Sequence, residues 1–508
     1  MSGSGQRQTS TGPGIGESRA TIARNAFYLL AGQATTTALA IVLNAALGRW
    51  LGVEDFGIYY LITTMATFAY VFVEWGQPYF VIRQLAREPL EAGHFLGTAL
   101  TLRAGLAVVV TVPVGLVAWA LGYGPRTTWL LLSLILASLP LFLAQGYTMV
   151  FRARDRMERD AAVSVSNKAM ALGVALVALA LGTGISGVIL AQAVAGVAAL
   201  VVAGRLYRGL GAPPLRVSLA TARDLFASGT PILAMTAAVS AQPYLDAIIL
   251  SKLTPATVVG WFGAARNILG TLIAPAVILG AAAYPRIARE SADTVALQHE
   301  VRSAFRPLLW LAALAGTGTY LFAGDAIGLV YGSSGFGPAA TILKVFAPGL
   351  FLLFIDILLG SIIYASGSGT GFAIAKIISV LVGTGLDFLL IPLFQERSGN
   401  GGIGVVVAFA LSELVVFAGA VMVLRRRRAL EPATALDAAR ALGAAGATVL
   451  LLRVMPPVPP AVGIPVCVVG FAAASVALGL FGRRDVTELW SLLRRPTIGA
   501  PLGTMPDY

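Results

Sequence analysis

Ten ionisable residues sit inside long apolar runs of this sequence: Glu74, Arg103, Lys168, Asp246, Arg266, Lys344, Asp356, Lys376, Asp387 and Glu413. A charge held in hydrocarbon costs several kcal/mol, so such residues face one another or a hydrated interior. Arg266, in GAARNILG, lies about nine residues into its run, too deep for easy escape to the surface. A guanidinium stays charged and grips phosphate oxygens in pairs, and Gly263, Ala264 and Ala265 leave room for a bulky group beside it. The alternative is an ion pair with Asp246 or Asp356. Arg103 and Lys168 lie five to seven residues inside the ends of their runs. Facing inward they form a basic lip for an anionic headgroup; facing outward they snorkel.

The acids suggest a second chemistry. Glu413, in ALSELVV, and Asp356, in LFIDILL, are deep enough to bind H+ or, with neighbours, Na+. Their alternative is neutralisation by Lys344, Lys376 or a hydroxyl. Asp246 joins them as a coupling candidate, although it and Asp387 fall within a few residues of run ends, where water solvates them. A third set suits sugar, whose C–H faces pack on rings while its hydroxyls need partners. Glu74 and Trp75 in VEWGQP, with Gln33, Asn44, Gln242, Tyr244 and Asn267, supply that mix. Ordinary helix-end and interfacial roles compete for each of them.

The elements that must position these groups are membrane helices. The chain has 508 residues, 57% hydrophobic and 12% charged, with a mean hydropathy of +0.82. Soluble proteins carry about 25% charged residues. Runs of about 20 apolar residues, each enough to cross hydrocarbon, are expected near 26–48, 57–81, 98–121, 129–149, 161–182, 186–204, 225–250, 257–283, 307–324, 337–364, 371–393, 403–424, 441–456 and 459–482. The thirteenth is short and ends at Met455-Pro456-Pro457, so it reads as tilted, broken or re-entrant. With the N-terminus inside, inside segments hold 26 Lys and Arg and outside segments 5. That bias orients both termini to the cytoplasm, in the plasma (inner) membrane.

Several function classes fall away. The net charge of +12 is accounted for by inside loops, so no nucleic-acid partner is expected. The single Cys467 and the isolated His94 and His299 offer neither a disulfide nor a metal site. No GxxxxGKS or GxxxxGKT loop is present, and the outside loops are too short to carry a catalytic domain. No catalytic residues, metal or cofactor are expected, and the chain reads as a non-enzyme.

The sequence also repeats. Leu43-Asn44-Ala45 matches Leu245-Asp246-Ala247 at an offset of 202, Gly57-Ile58-Tyr59 matches Gly260-Trp261-Phe262 at 203, and QLARE (84–88) matches RIARE (286–290) at 202. An offset of six spans preserves orientation, so the lobes are parallel repeats of the kind that enclose a midplane site and rock about it. The expected organisation is a disordered tail (1–22), a six-helix lobe (23–204), a cytoplasmic linker (205–224), a second six-helix lobe (225–424), an extra helix pair (425–482) and a cytoplasmic amphipathic helix with tail (483–508). In that last segment Val486, Leu489, Trp490 and Leu493 share one face. The fold class is all-α, polytopic, with about 14 transmembrane helices.

Four stretches carry a family resemblance: LGRWLGVEDFGIYYLITT (47–64), FVEWGQPYFVIRQLARE (72–88), YLDAIILSKLTPATVVGWFGAARNI (244–268) and AAYPRIARE (282–290). The chain resembles the Wzx-type polysaccharide flippases of the multidrug/oligosaccharidyl-lipid/polysaccharide exporter superfamily. The resemblance implies movement of a polyprenyl-diphosphate-linked oligosaccharide from the cytoplasmic to the outer leaflet, for cell-surface polysaccharide biosynthesis. Arg266, Arg103 and Lys168 would then meet the diphosphate, and the polar and aromatic set would meet the glycan. Membrane lipid, H+ or Na+, and a glycan polymerase or glycosyltransferases are the implied partners. Fourteen spans are similar to the lipid II flippase branch, and the parallel repeat is shared with cation-coupled small-molecule exporters. An integral-membrane polymerase, ligase or glycosyltransferase is the alternative of a different class.

Overall fold

The computed structural model of the chain describes residues 15–87, 91–211, 213–290, 294–332, 335–365, 369–426, 431–456 and 458–481. Sixteen helices follow one another among them: α1 (Ile15–Glu74), α2 (Gln77–Arg87), α3 (Ala92–Ala120), α4 (Pro125–Ala153), α5 (Met157–Ala180), α6 (Gly184–Arg208), α7 (Leu219–Ser240), α8 (Gln242–Leu253), α9 (Ala256–Leu272), α10 (Ala274–Arg289), α11 (Thr294–Tyr331), α12 (Gly337–Ala365), α13 (Gly369–Ser398), α14 (Gly402–Arg426), α15 (Pro432–Val454) and α16 (Pro460–Ala477). Twelve apolar helices are long enough to cross a membrane, and α7 with α8, bent by 50°, makes a thirteenth span. The first of the twelve, Phe27–Glu74, has 48 residues. Straight, it would run about 72 Å, over twice the hydrocarbon thickness. It breaks at Gly52 (φ 75°, ψ 173°), a conformation glycine adopts without steric cost. Each arm is long enough for one crossing, and the fourteen expected spans stand against twelve to thirteen membrane-length helices among the described residues.

Boundaries moved where polar side chains found partners. The first helix begins at Ile15, inside the segment expected to be a disordered tail. The span expected at 441–456 is a full helix of 23 residues from Pro432, because Asp437 and Arg440 in its early turns are paired. The expected C-terminal amphipathic helix lies outside the described residues, as do residues 1–14 of the tail.

The chain divides into two compact units. The first comprises 1–271, 324–345 and 373–415, the second 272–323, 346–372 and 416–508. In the first unit α6 presents Ala191, Ala195, Ala199 and Ala203, one every fourth residue and none more than 1% exposed. Such a stripe of small residues lets membrane helices approach closely, where dispersion replaces the hydrophobic effect as the driving force. Gly196 beside it meets α4: a Cβ there would lie 2.9 Å from the Leu141 backbone nitrogen. The helical hairpins close by hydrogen-bonded glycine caps. Gly122 (φ 71°) and Gly182 (φ 70°) follow α3 and α5, and the next amides, Tyr123 and Thr183, reach back to the Ala118 and Ala178 carbonyls.

Also within the first unit, the second arm of α1 crosses α9 at two glycines. A Cβ on Gly57 would lie 2.1 Å from the Ala256 carbonyl oxygen, and one on Gly260 would lie 2.2 Å from that of Val53. These are the glycines that match between the sequence repeats, so the repeats touch through equivalent positions. Around the crossing, Arg49 donates to the carbonyls of Leu329 (2.6 Å) and Val330 (3.1 Å), and the Trp261 indole donates to Gly335 at 2.9 Å.

The second unit is organised around Asp437, a carboxylate 1% exposed on α15. Arg302 reaches it at 3.1 Å and Arg440 at 3.3 Å, while Arg306 approaches to 3.9 Å. Trp310 of α11 packs against Phe471 of α16 with ring centroids 5.5 Å apart. Ion pairs and aromatic packing thus fasten the last helix pair to α11.

Candidate substrate site

Two cavities lie within the first unit, stacked along the first arm of α1. The proximal one, about 400 Å³, is level with Gln33 and Thr36; the distal one, about 320 Å³, is level with Ala40, Asn44 and Leu47. Helices α4 and α5 run beside both. On α5, Asp160, Ser164, Asn167 and Lys168 face the proximal cavity. Their spacing of i, i+4, i+7 and i+8 puts them on one helix face. Lys168 borders both cavities.

The proximal cavity is charged. Arg152 of α4 donates to Asp160 at 2.7 Å, which neutralises that carboxylate. Arg103 is 1% exposed; its guanidinium donates to Gln77 Oε1 (3.1 Å) and the Phe142 carbonyl (2.7 Å) and lies 3.5 Å from Glu74. These contacts tie Arg103 to the protein at the edge of the proximal cavity, and Glu74 balances its charge. Lys168 stands differently. Helix α5 begins at Met157, so Lys168 lies eleven residues in, about 16 Å of helix rise from that end. Its side chain borders both cavities, so it turns to the interior of the unit. Beside it, Asn167 is 4% exposed and its amide nitrogen has no protein acceptor.

The distal cavity is polar but nearly free of charge. Asn267 donates to Asn44 at 3.2 Å, tying α9 to α1. Tyr59, Tyr60 and Tyr70 contribute rings, and Thr67, Ser138 and Gln192 contribute polar groups. Tyr70 stacks on Phe142 with centroids 3.6 Å apart, and its hydroxyl donates to the Ile135 carbonyl at 2.6 Å. Among the described lining residues there is no acid, and Lys168 is the one cation.

A pair of polar cavities among apolar, membrane-length helices can be compared with known proteins. The family described as "Polysaccharide biosynthesis protein" matches residues 22–290, just over half of the chain. The chain belongs to this family. A search of curated proteins found no match. Among solved structures, the lipid II flippase MurJ in an inward closed conformation is similar at 12% identity and a TM-score of 0.71, covering 92% of this chain and 100% of that one. An inward-facing multidrug resistance MATE transporter of the MOP superfamily is similar at 15% identity and a TM-score of 0.64, covering 76% and 94%. A MOP superfamily transporter from Pyrococcus furiosus, whose structure is described as having a binding pocket of reversed polarity, is similar at 14% identity and a TM-score of 0.58, covering 80% and 95%. The fold of this polysaccharide biosynthesis protein is therefore the all-α transporter fold of that superfamily.

The remaining expected site residues are placed as follows in this family member. Arg266 lies outside the lining of both cavities; its guanidinium carbon is 5.8 Å from the Phe409 ring centroid, and it shares an electrostatic environment with Asp246. Sequence gives a residue's depth along a helix but not its azimuth, and α9 turns Arg266 away from its neighbour Asn267. Gln33 and Glu74 line the proximal cavity and Asn44 and Asn267 the distal one. Trp75 donates to the Thr230 hydroxyl at 3.2 Å, Tyr244 stacks on Phe68 with centroids 4.8 Å apart, and Gln242 donates to the Ser412 hydroxyl at 2.7 Å. These three side chains hold helices together.

Of the acids, Glu413 pairs with Lys376 at 3.7 Å, and Asp356 belongs to the second unit, buried on α12. Asp246 and Asp387 come together instead. They are 5% and 0% exposed, face one another, and no protein donor serves Asp246 Oδ1 or either Asp387 oxygen. Proximity to a helix end had suggested solvation for both; packing against α8, α13 and α14 removes it. The α5 stripe was readable as a polar set with helical period. Asp387 carried no such signal.

Proposed function

We propose that this chain is a flippase that moves a polyprenyl-diphosphate-linked oligosaccharide from the cytoplasmic to the outer leaflet, with both termini in the cytoplasm. The observation that carries the reading is Lys168, a cation deep in the bundle at the junction of two polar cavities. With the N-terminus cytoplasmic, the proximal cavity is the entry side. A diphosphate reaching Lys168 and the Asn167 amide exchanges hydration for a charge-assisted contact and a neutral donor. Arg103, tied to Gln77, Phe142 and Glu74, positions α1, α2, α3 and α4 around that path. The glycan enters the polar space while the prenyl chain stays in lipid. Changes in the packing of the bundle expose the cargo on the far side, and no covalent step is required.

Asp246 and Asp387 supply the coupling site in this scheme. Two facing carboxyls in a dry environment hold a proton or a small cation between them more readily than two negative charges. Binding there links an ion gradient to the cycle. Arg266 shares the field of that pair and sets how strongly it holds its ion.

Purified protein in liposomes, supplied with a fluorescent prenyl-diphosphate oligosaccharide on one leaflet, tests the proposal. Transport is expected, and Lys168→Gln should lower its rate by at least tenfold, with Lys168→Arg recovering part of it. Transport by Lys168→Gln at the unaltered rate would remove the phosphate role.

A further inference from the structure

The two cavities differ in how many charged side chains line them, five in the proximal and Lys168 alone in the distal, and that difference selects among glycans. We infer that the distal cavity is a subsite for the sugar or sugars next to the diphosphate and that it accepts uncharged rings while rejecting those bearing a carboxylate. The inference rests on the flippase reading above and adds the chemical class of the proximal sugar.

Lys168 fixes the register. It is the cation shared by the two cavities, so a diphosphate held there leaves the attached glycan pointing along α1 into the distal space. That space, about 320 Å³, is at the lower end for pockets that enclose small ligands, enough for about one or two sugar rings. Its lining suits a neutral sugar. Tyr59 and Tyr60 offer ring faces for C–H groups, while Asn44, Asn267, Thr67 and Gln192 offer both donors and acceptors for hydroxyl or acetamido groups.

An acidic sugar would fare differently. Once Lys168 is engaged by phosphate, no lining cation remains among the described residues for a second anion. Arg266 does not supply one: it is outside the lining, with its guanidinium carbon 5.8 Å from the Phe409 ring centroid. A carboxylate in that chamber would give up hydration for neutral dipoles alone, which is unfavourable for a buried charge. The proximal cavity, by contrast, is lined by Arg103, Arg152 and Lys168 together with Glu74 and Asp160, so charged groups of both signs meet a ligand there.

The experiment compares two short-prenyl diphosphates that differ only in the attached sugar, N-acetylglucosamine or glucuronic acid, binding to the purified full chain. The N-acetylglucosamine compound is expected to bind at least tenfold more tightly. Gln192→Lys places a cation in the chamber and should narrow or invert that ratio by improving the glucuronic acid compound, a gain that misfolding cannot imitate. Lys168→Gln should weaken both compounds and leave their ratio unchanged. Equal affinity for the two sugars, or a ratio untouched by Gln192→Lys, overturns the subsite. Failure of the flippase reading looks different: neither compound binds and neither moves across liposomes.

Discussion

The crossing of Gly57 and Gly260 makes a strong prediction about access to the distal cavity. Replacing Gly57 with Ala adds one methyl group, whose carbon would stand 2.1 Å from the Ala256 oxygen and 2.8 Å from the Gly260 nitrogen. Carbon and oxygen ordinarily approach no closer than about 3.3 Å, so the overlap exceeds about 1 Å. Both clashing atoms are backbone, and no side-chain rotation relieves them. The second arm of α1 and α9 must therefore separate, or the arrangement must bear an overpacking cost of about 1–3 kcal/mol. A conformation in which the two segments are apart bears none of it. A penalty of 1.4 kcal/mol on one of two states shifts their ratio tenfold. The readout is labelling of Thr67→Cys, at the distal cavity wall, by a membrane-impermeant maleimide added outside, with the buried Cys467 replaced by Ser. Gly57→Ala should raise the labelling rate about tenfold, and Gly57→Ala with Gly260→Ala should raise it further. Gly105→Ala, with open space around its Cβ position, should leave it unchanged. Folded Gly57→Ala protein with unaltered labelling would refute the link between this crossing and access to the distal cavity.

Other expectations follow from the same geometry. Asp437→Asn removes the carboxylate shared by Arg302, Arg306 and Arg440; the arginines are about one-third exposed and keep some hydration, so the expected loss is about 1–3 kcal/mol, visible as a lowered unfolding temperature in detergent. An unchanged temperature would show that α15 is held by apolar packing alone. Gly196→Leu should disrupt the α4–α6 contact and reduce folded yield on size-exclusion chromatography, whereas Gly204→Ala, with nothing near its Cβ position, should be tolerated. Asp387→Asn should abolish the dependence of transport on an imposed proton or sodium gradient while substrate binding persists. Gradient dependence retained in Asp387→Asn and in Asp246→Asn would locate coupling elsewhere.

The class of protein and the repeat are legible in the amino-acid order, because each is written in one dimension. Twenty-residue apolar runs report membrane crossings, Lys and Arg bias reports expected orientation, and Gly57 and Gly260 stood out at matching offsets. The i, i+4, i+7, i+8 spacing of Asp160, Ser164, Asn167 and Lys168 also lay in plain view as one helix face. What tertiary structure alone decided is which charges are spent. Arg103 and Lys168 looked equivalent at similar depth, yet Arg103 is held by Gln77, Phe142 and Glu74 beside the proximal cavity while Lys168 borders both cavities. Arg266 and Asn267 are chain neighbours, and only Asn267 reaches a cavity wall. Asp387, near the end of its apolar run, is dry because it is buried within the first unit facing Asp246 of α8. In each case the deciding quantity is the direction a side chain points and what stands opposite it, and that is fixed by the packing of helices distant in sequence, not by the residue's place in its own run.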